Sequence, residues 1–358
     1  MALTARARAL AITAFLAGGA LVVHFVRAAP ERGSPARESA EGVDGAPRPS
    51  AERARSTLER TSVPGARTPA ARVAGRMLPF GSGAEAFGRP RDEEGHGPVL
   101  NLATDPSGRL TLLDPANRRL LRFDAAGRPL GATRLPGEAA DDVGAAADGT
   151  LAVLDVHGAG QVSLLAPDGS ALGALPLAGP GLAPESVRGV HVAGEDVYAE
   201  SYNGEYRRLG DVSGRVDAQR PEVPGQPMRD GRGFLTALLT DASTGAVHVY
   251  VLERSTGLQR FSRLLQLGVE VEGLFLVDTS SDGTIYLGVH AVPPGAAPGT
   301  RTAQLLCLEP EHGQVTGRAD LPVGADGTIV DGSALDAGGI AYAVWTQDGV
   351  RLERHDCR

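Results

Sequence analysis

The sequence repeats itself at a period near 40 residues, and this period limits the fold more than any other feature. Residues 98–137 read PVLNLATDPSGRLTLLDPANRRLLRFDAAGRPLGATRLPG, and residues 139–179 read AADDVGAAADGTLAVLDVHGAGQVSLLAPDGSALGALPLAG. A shift of 41–42 residues carries Gly108 onto Gly149, Asp114 onto Asp155 and Gly127 onto Gly169. Each unit holds four short apolar runs separated by Gly-containing turns, where glycine supplies the positive φ that tight hairpins need.

Four antiparallel strands in about 40 residues make one blade of a β-propeller. Later units are followed by their turns. Gly194 and the Asn203-Gly204 pair punctuate a third, and GFLTALLTD, AVHVYVLER and LQRFSRLLQLG a fourth, whose inner strand is ill defined between Pro221 and Met228. A fifth runs from GLFLVDTSSDG to VTGRADLPVG, and a sixth has only three strands before the chain stops. Residues 72–81, RVAGRMLPFG, match VTGRADLPVG at 315–324, so the N-terminal stretch reads as the missing fourth strand of blade 6. An unpaired edge there would be an aggregation hazard. The expected fold is therefore all-β: a six-bladed propeller over 72–358, closed by its own N-terminal strand.

The first unit, HGPVLNLATDPSGRLTLLDPANRRLLRFDAAGRPL, resembles an NHL repeat in its L-A-x-D-P-x-G opening after Pro98, its Asn-Arg turn and its F-D-x-x-G ending. The resemblance extends to blade 2 and fades beyond it. It implies a six-bladed propeller, and it brings two enzymatic relatives into view. Zinc-dependent amidating lyases hold metal with channel histidines, which points to His157, His191 and His290 as a weak alternative metal set. Calcium lactonases use a Glu, two Asn and an Asp from inner strands. Asn101 and Asp278 could project similarly here, but the rest of the six to eight oxygens that calcium requires cannot be assembled.

Arg6 and Arg8 precede an uncharged run at 9–26 that ends at Arg27. Eighteen helical residues reach about 27 Å, close to the thickness of a hydrocarbon core. Residues 1–27 therefore read as a signal anchor, with a cleaved signal peptide as the alternative. Residues 28–71, rich in Ala, Pro, Arg, Ser and Gly, are expected to be a disordered linker. The reading places the propeller on the periplasmic or extracellular side of a membrane, tethered by a single pass.

Charge and composition narrow the function. Residues 1–71 carry ten Arg against six acids, and the remainder 25 Arg against 37 acids. An acidic domain without a basic stripe argues against nucleic acid as a partner. The chain contains no lysine, which removes Schiff-base chemistry and the P-loop. Cys307 and Cys357 are the only cysteines, without zinc-site spacing, and their pairing is open at this stage. There is no G-x-S-x-G elbow. Asp92-Glu93-Glu94 reads as a solvated loop.

Candidate ligand-binding residues fall at the second-to-third-strand loops: Asp114, Arg118, Asp155, His157, Tyr202, Asn203, Asp241, His290 and Trp345. Asp and Asn at such turns also bond their own backbone, an alternative for each of them. No cofactor is expected. The leading expectation is a binding or scaffold module with a protein or small-molecule ligand at the propeller mouth. The alternative is a zinc- or calcium-dependent hydrolase or lyase.

Overall fold

Alternating apolar residues, β-branched content and a turn every 8–12 residues leave the chain no way to bury its apolar surface except as packed antiparallel sheets. A computed structural model shows six of them; it describes residues 59–62, 72–89, 101–137, 139–296, 300–321 and 328–356. Blade 1 runs from the inner strand Leu102–Thr104 to the outer strand Pro129–Arg134, and blade 2 from Asp142–Ala145 to Ala171–Pro176. Blade 3 spans Val187–Ala193 to Glu222–Val223, blade 4 Gln226–Pro227 to Gln259–Gln266, and blade 5 Glu270–Thr279 to Val315–Leu321. Blade 6 supplies Thr328–Ala334, Ile340–Trp345 and Gly349–His355. Neighbouring blades touch all the way round, inner strand to inner strand except between blades 4 and 5, where Gly233–Asp241 meets Glu270–Thr279.

The expected closure is present. Arg72–Pro79 pairs antiparallel with Gly349–His355, from Arg72 opposite His355 to Pro79 opposite Gly349. The ladder slips between Val73 and Arg76, and there the backbone of Gly75 passes so close to Glu353 that a Cβ would lie 2.6 Å from its carboxyl. Glu353 is fully buried and paired with Arg351 at 2.7 Å, so it has nowhere to retreat. Beyond the strand, Phe80 and Phe87 pack on Trp345 with ring centroids 5.0 and 5.9 Å apart. Leu78, Phe87, Leu112 and Val350 share one core between blades 6 and 1.

Blade 4 differs from the linker expectation. Within 28–71, Glu59–Ser62 forms a strand that pairs in parallel with Gln259–Gln266, giving this blade a fifth strand. The physical reason is the edge itself, since an eight-residue outer strand offers backbone groups that a passing chain can satisfy. Blade 4's inner strand is only two residues long, within the interval where the sequence pattern is poorest. The remainder of 1–71, including the 9–26 run, lies outside the described residues, as does Asp92-Glu93-Glu94. Among the described residues no helix is long and apolar enough to cross a membrane. Cys307 sits buried on a blade 5 strand and is disulfide-bonded; Cys357, the only other cysteine in the sequence, lies outside the described residues.

Candidate functional site

Because each blade is an antiparallel sheet whose first strand lines the axis, the second-to-third-strand loops share one face with the connections between blades. That face carries most of the residues singled out from the sequence, and their environments differ sharply. Asp114 is fully buried. Its carboxylate accepts from the Gly88 amide at 3.0 Å, from the Asn117 side-chain amide at 2.8 Å and from Arg119 Nε at 2.9 Å. Asp155 accepts from the Gly158 and Ala159 amides at 2.6 and 3.0 Å. Asp241 accepts from the Ser243 amide and hydroxyl and from the Thr244 hydroxyl, bonds that lower its pKa. Asn203 accepts from the Glu205 amide. These four residues shape their own turns, as the alternative reading had it.

Trp345 packs against Phe80 and Phe87, so its indole anchors the closing segment. His290 lies against Phe275 with centroids 4.8 Å apart, and burial lowers its pKa. His157 is 77% exposed and 3.7 Å from Asp141. His191 sits on the inner strand of blade 3, its Nε2 2.7 Å from the Pro227 carbonyl. A carbonyl can only accept, so Nε2 carries the proton. The three histidines have separate partners, and among the described residues no group of three or more His, Cys, Asp or Glu is placed to hold a metal ion. Tyr202, 66% exposed, and Arg118, in a left-handed turn with φ 53°, do face outward.

The polar groups that converge do so in the channel, and each blade junction uses one of them. The Asn101 side-chain amide donates to the Asp141 carbonyl, joining blade 1 to blade 2. Asp142 accepts from the Val190 amide at 2.7 Å, joining 2 to 3, and His191 joins 3 to 4. The Arg229 amide donates to the Thr279 hydroxyl at 2.9 Å between 4 and 5. Asp278 accepts from the Ala334 amide at 2.9 Å between 5 and 6, and Asp331 from the Leu102 amide at 2.8 Å between 6 and 1. Six junctions are thus closed by side-chain-to-backbone bonds on the axis.

Arg229 adds a second layer. Its guanidinium donates to both Asp278 oxygens at 3.2 and 2.6 Å, to the Ser333 hydroxyl at 2.7 Å and to the Thr104 hydroxyl at 3.0 Å. One planar fork of five donors thus binds blades 5, 6 and 1 from a position on blade 4, which a lysine could not do. Beside it lies a cavity of about 40 Å³ bordered by Thr104, Ala146, Gly194 and Asp336.

Burial and like charge govern the channel acids. Burial pushes the Asp331 carboxyl up to about 7, with the Asp278 charge adding to it. Burial likewise raises Asp142 well above the usual range, reinforced by Asp331 and Glu200. Both border the channel while protein encloses them on every side, which explains partial exposure alongside strong desolvation. Glu200 is paired with Arg188 on the neighbouring strand of blade 3.

A larger cavity lies off the axis, on the loop face. It measures about 730 Å³ and is lined by Phe80, Gly81, Ser82, Gly88, Arg89, Ala116 and Asn117, at the junction of blades 6 and 1. Arg89 lies over the Phe80 ring at 4.9 Å from its centroid. Arg89, Phe80, Arg229 and Asp331 were not singled out by sequence. Asp142 could have been: the 41-residue shift that carries Gly108 onto Gly149 carries Asn101 onto Asp142, and both reach to the following blade.

No protein-family model matches the sequence, and no curated protein does. Among solved structures, the chain is similar to hydrazine synthase of Kuenenia stuttgartiensis at 16% identity, covering 70% of this chain and 74% of that one with a TM-score of 0.44. It is similar to a member of the DUF4221 family from Bacteroides vulgatus at 8% identity, covering 80% and 97%, TM-score 0.46. It is also similar to an inactive variant of virginiamycin B lyase from Staphylococcus aureus solved with quinupristin, at 11% identity, covering 78% and 99%, TM-score 0.42. At these identities and scores nothing about the chemistry of this chain follows from theirs.

Proposed function

We propose that this chain is a membrane-tethered, extracytoplasmic binding or scaffold module that recognises its ligand through the loop face of the propeller. One observation carries the reading: the polar side chains of the channel are engaged in holding blade to blade, whereas Tyr202, His157, Arg118 and the Arg89–Phe80 depression look outward. A rigid ring with an open, irregular loop face is the arrangement in which binding residues ordinarily reside. The extracytoplasmic placement rests on the charged-then-apolar N-terminus and on the disulfide at Cys307, a bond that oxidising compartments sustain. Nothing in the described residues favours the zinc or calcium alternative.

Photo-crosslinking tests the reading. A photoreactive residue placed at Tyr202, at Arg89 or, as a control on the opposite face, at Ala126 is expressed in the full chain in its native membrane. Discrete adducts from Tyr202 or Arg89, absent from Ala126, are expected. Equal or absent adducts at all three positions would sink the loop-face reading.

A further inference from the structure

The cavity at the junction of blades 6 and 1 has a fixed wall. The loop that follows the closing strand is held there by side chains of blade 1. Arg119 Nη2 donates to the Gly83 and Ala86 carbonyls at 2.8 and 2.6 Å, and the Asn117 side-chain amide donates to the Gly81 carbonyl at 2.9 Å. The Gly88 amide donates to Asp114 at 3.0 Å. Gly88 passes so close to blade 1 that a Cβ there would lie 2.6 Å from the Ala116 Cβ. A wall held in this way needs little further ordering when a ligand binds. At about 730 Å³ the cavity falls in the size range of small-molecule sites, whereas the void beside Arg229 measures about 40 Å³.

Two polar side chains that line it have unused bonding capacity. Arg89 stacks on the Phe80 ring, and among the described residues neither an acid nor a carbonyl answers its guanidinium. Other arginines of this corner are engaged, Arg76 with Glu85 at 2.6 Å and Arg119 with Asp114 at 2.9 Å. Asn117 uses both amide hydrogens, on the Gly81 carbonyl and on Asp114 Oδ2, two acceptors that fix which end of the amide is the nitrogen. Its Oδ1 is left as an acceptor with no donor among the described residues. The rest of the described lining carries no charge.

We infer that this cavity is a binding site for the C-terminal end of a peptide, whose carboxylate docks on the Arg89 fork and whose last N–H is accepted by Asn117 Oδ1. A planar guanidinium matches a carboxylate through two parallel bonds. Capture of a terminal carboxylate is also a recurrent mode of peptide recognition. An anion that offers acceptors alone, such as sulfate, answers Arg89 and leaves Asn117 unmet; a peptide end carries the acceptor and the donor side by side. The inference rests on the loop-face reading and names a ligand class for one part of that face.

The probe is N-acetyl-Ala-Ala-Leu, as the free acid and as the C-terminal amide, titrated calorimetrically into the full chain in mild detergent. The free acid should bind about ten-fold more tightly than the amide. Arg89→Gln, at a residue whose one described contact is the Phe80 ring, should abolish that difference and leave the melting temperature unchanged. Methylating the leucine nitrogen should weaken binding about three-fold or more, and sulfate at the peptide's concentration should not displace it. The series is repeated with Asp92→Asn, Glu93→Gln and Glu94→Gln combined, so that the three acids next along the chain cannot stand in for the probe. Equal affinity for acid and amide in both backgrounds, or a preference that survives Arg89→Gln, overturns the inference. Displacement by sulfate, or indifference to the methyl group, overturns it too, since either leaves a general anion site. Retained crosslinks from Tyr202 in those events would leave the loop-face reading standing.

Discussion

Asp331 offers the sharpest test of how the channel is built. Its carboxyl accepts from the Leu102 amide of blade 1 and from the Gly332 amide, both at 2.8 Å, yet burial drives its pKa from 3.8 to about 7. A group that binds its proton more tightly when folded adds stability at low pH and loses that contribution as pH rises through the folded value. Every tenfold gain in proton affinity corresponds to about 1.4 kcal/mol. Between pH 5 and the folded value near 7, the unfolded chain has already released this proton while the folded chain keeps it, an interval of about two such tenfold steps. This group alone should therefore cost the fold about 2–3 kcal/mol between pH 5 and pH 8, less whatever channel water screens; Asp142, shifted in the same direction, adds to it. In Asp331→Asn this group's share of the slope disappears, at the expense of one amide left without its acceptor, a loss of about 1–2 kcal/mol that does not vary with pH. Urea unfolding at pH 5, 6, 7 and 8 measures the difference. The variant should be the less stable protein at pH 5, with the gap narrowing or inverting by about 2 kcal/mol at pH 8. A gap constant to within about 0.5 kcal/mol would refute the account of Asp331 as a carboxyl held protonated in the ring.

Other perturbations follow from the same geometry. Arg229→Met should destabilise by about 3–5 kcal/mol, because it leaves the buried Asp278 carboxylate without its cation, and thermal unfolding would show it. Gly75→Val should drive a side chain into Glu353 and cost about 1–3 kcal/mol, whereas the same change at Gly127, where a Cβ meets nothing within 4 Å but the φ is +78°, should cost only its backbone strain. Trp345 is the only tryptophan, so deletion of 72–81 should red-shift the native emission and cause aggregation, while deletion of 28–54 should leave both unchanged. Below pH 4 stability should fall as turn carboxylates protonate, Asp211 foremost, since hydrogen bonds from Ser213 and Arg215 hold its pKa down to about 2. Elemental analysis of the purified protein should give well under one equivalent of zinc or calcium, and a stoichiometric value would reinstate the hydrolase or lyase alternative.

The ring was legible because its cause is local. Strand period, turn glycines and the 41-residue shift are written into consecutive residues, and the need to pair a three-stranded last sheet pointed directly at 72–81. Asp114, Asp155 and Asp241 were legible too, as turn residues whose carboxylates reach amides a few positions away. The channel was not. Asp331 meets Leu102 across 229 positions, and Arg229 meets Thr104 across 125, so no window of sequence holds both partners.

The amino-acid order thus determined how many blades there are and how the last is completed, because those follow from short-range patterning and from the cost of an open edge. Only the tertiary structure decided which polar side chains face the axis, that they are engaged in joining blades, and that Glu59–Ser62 lies along blade 4. Those outcomes depend on which distant backbone groups come within about 3 Å once the ring closes, a condition set by three-dimensional proximity and absent from any local pattern.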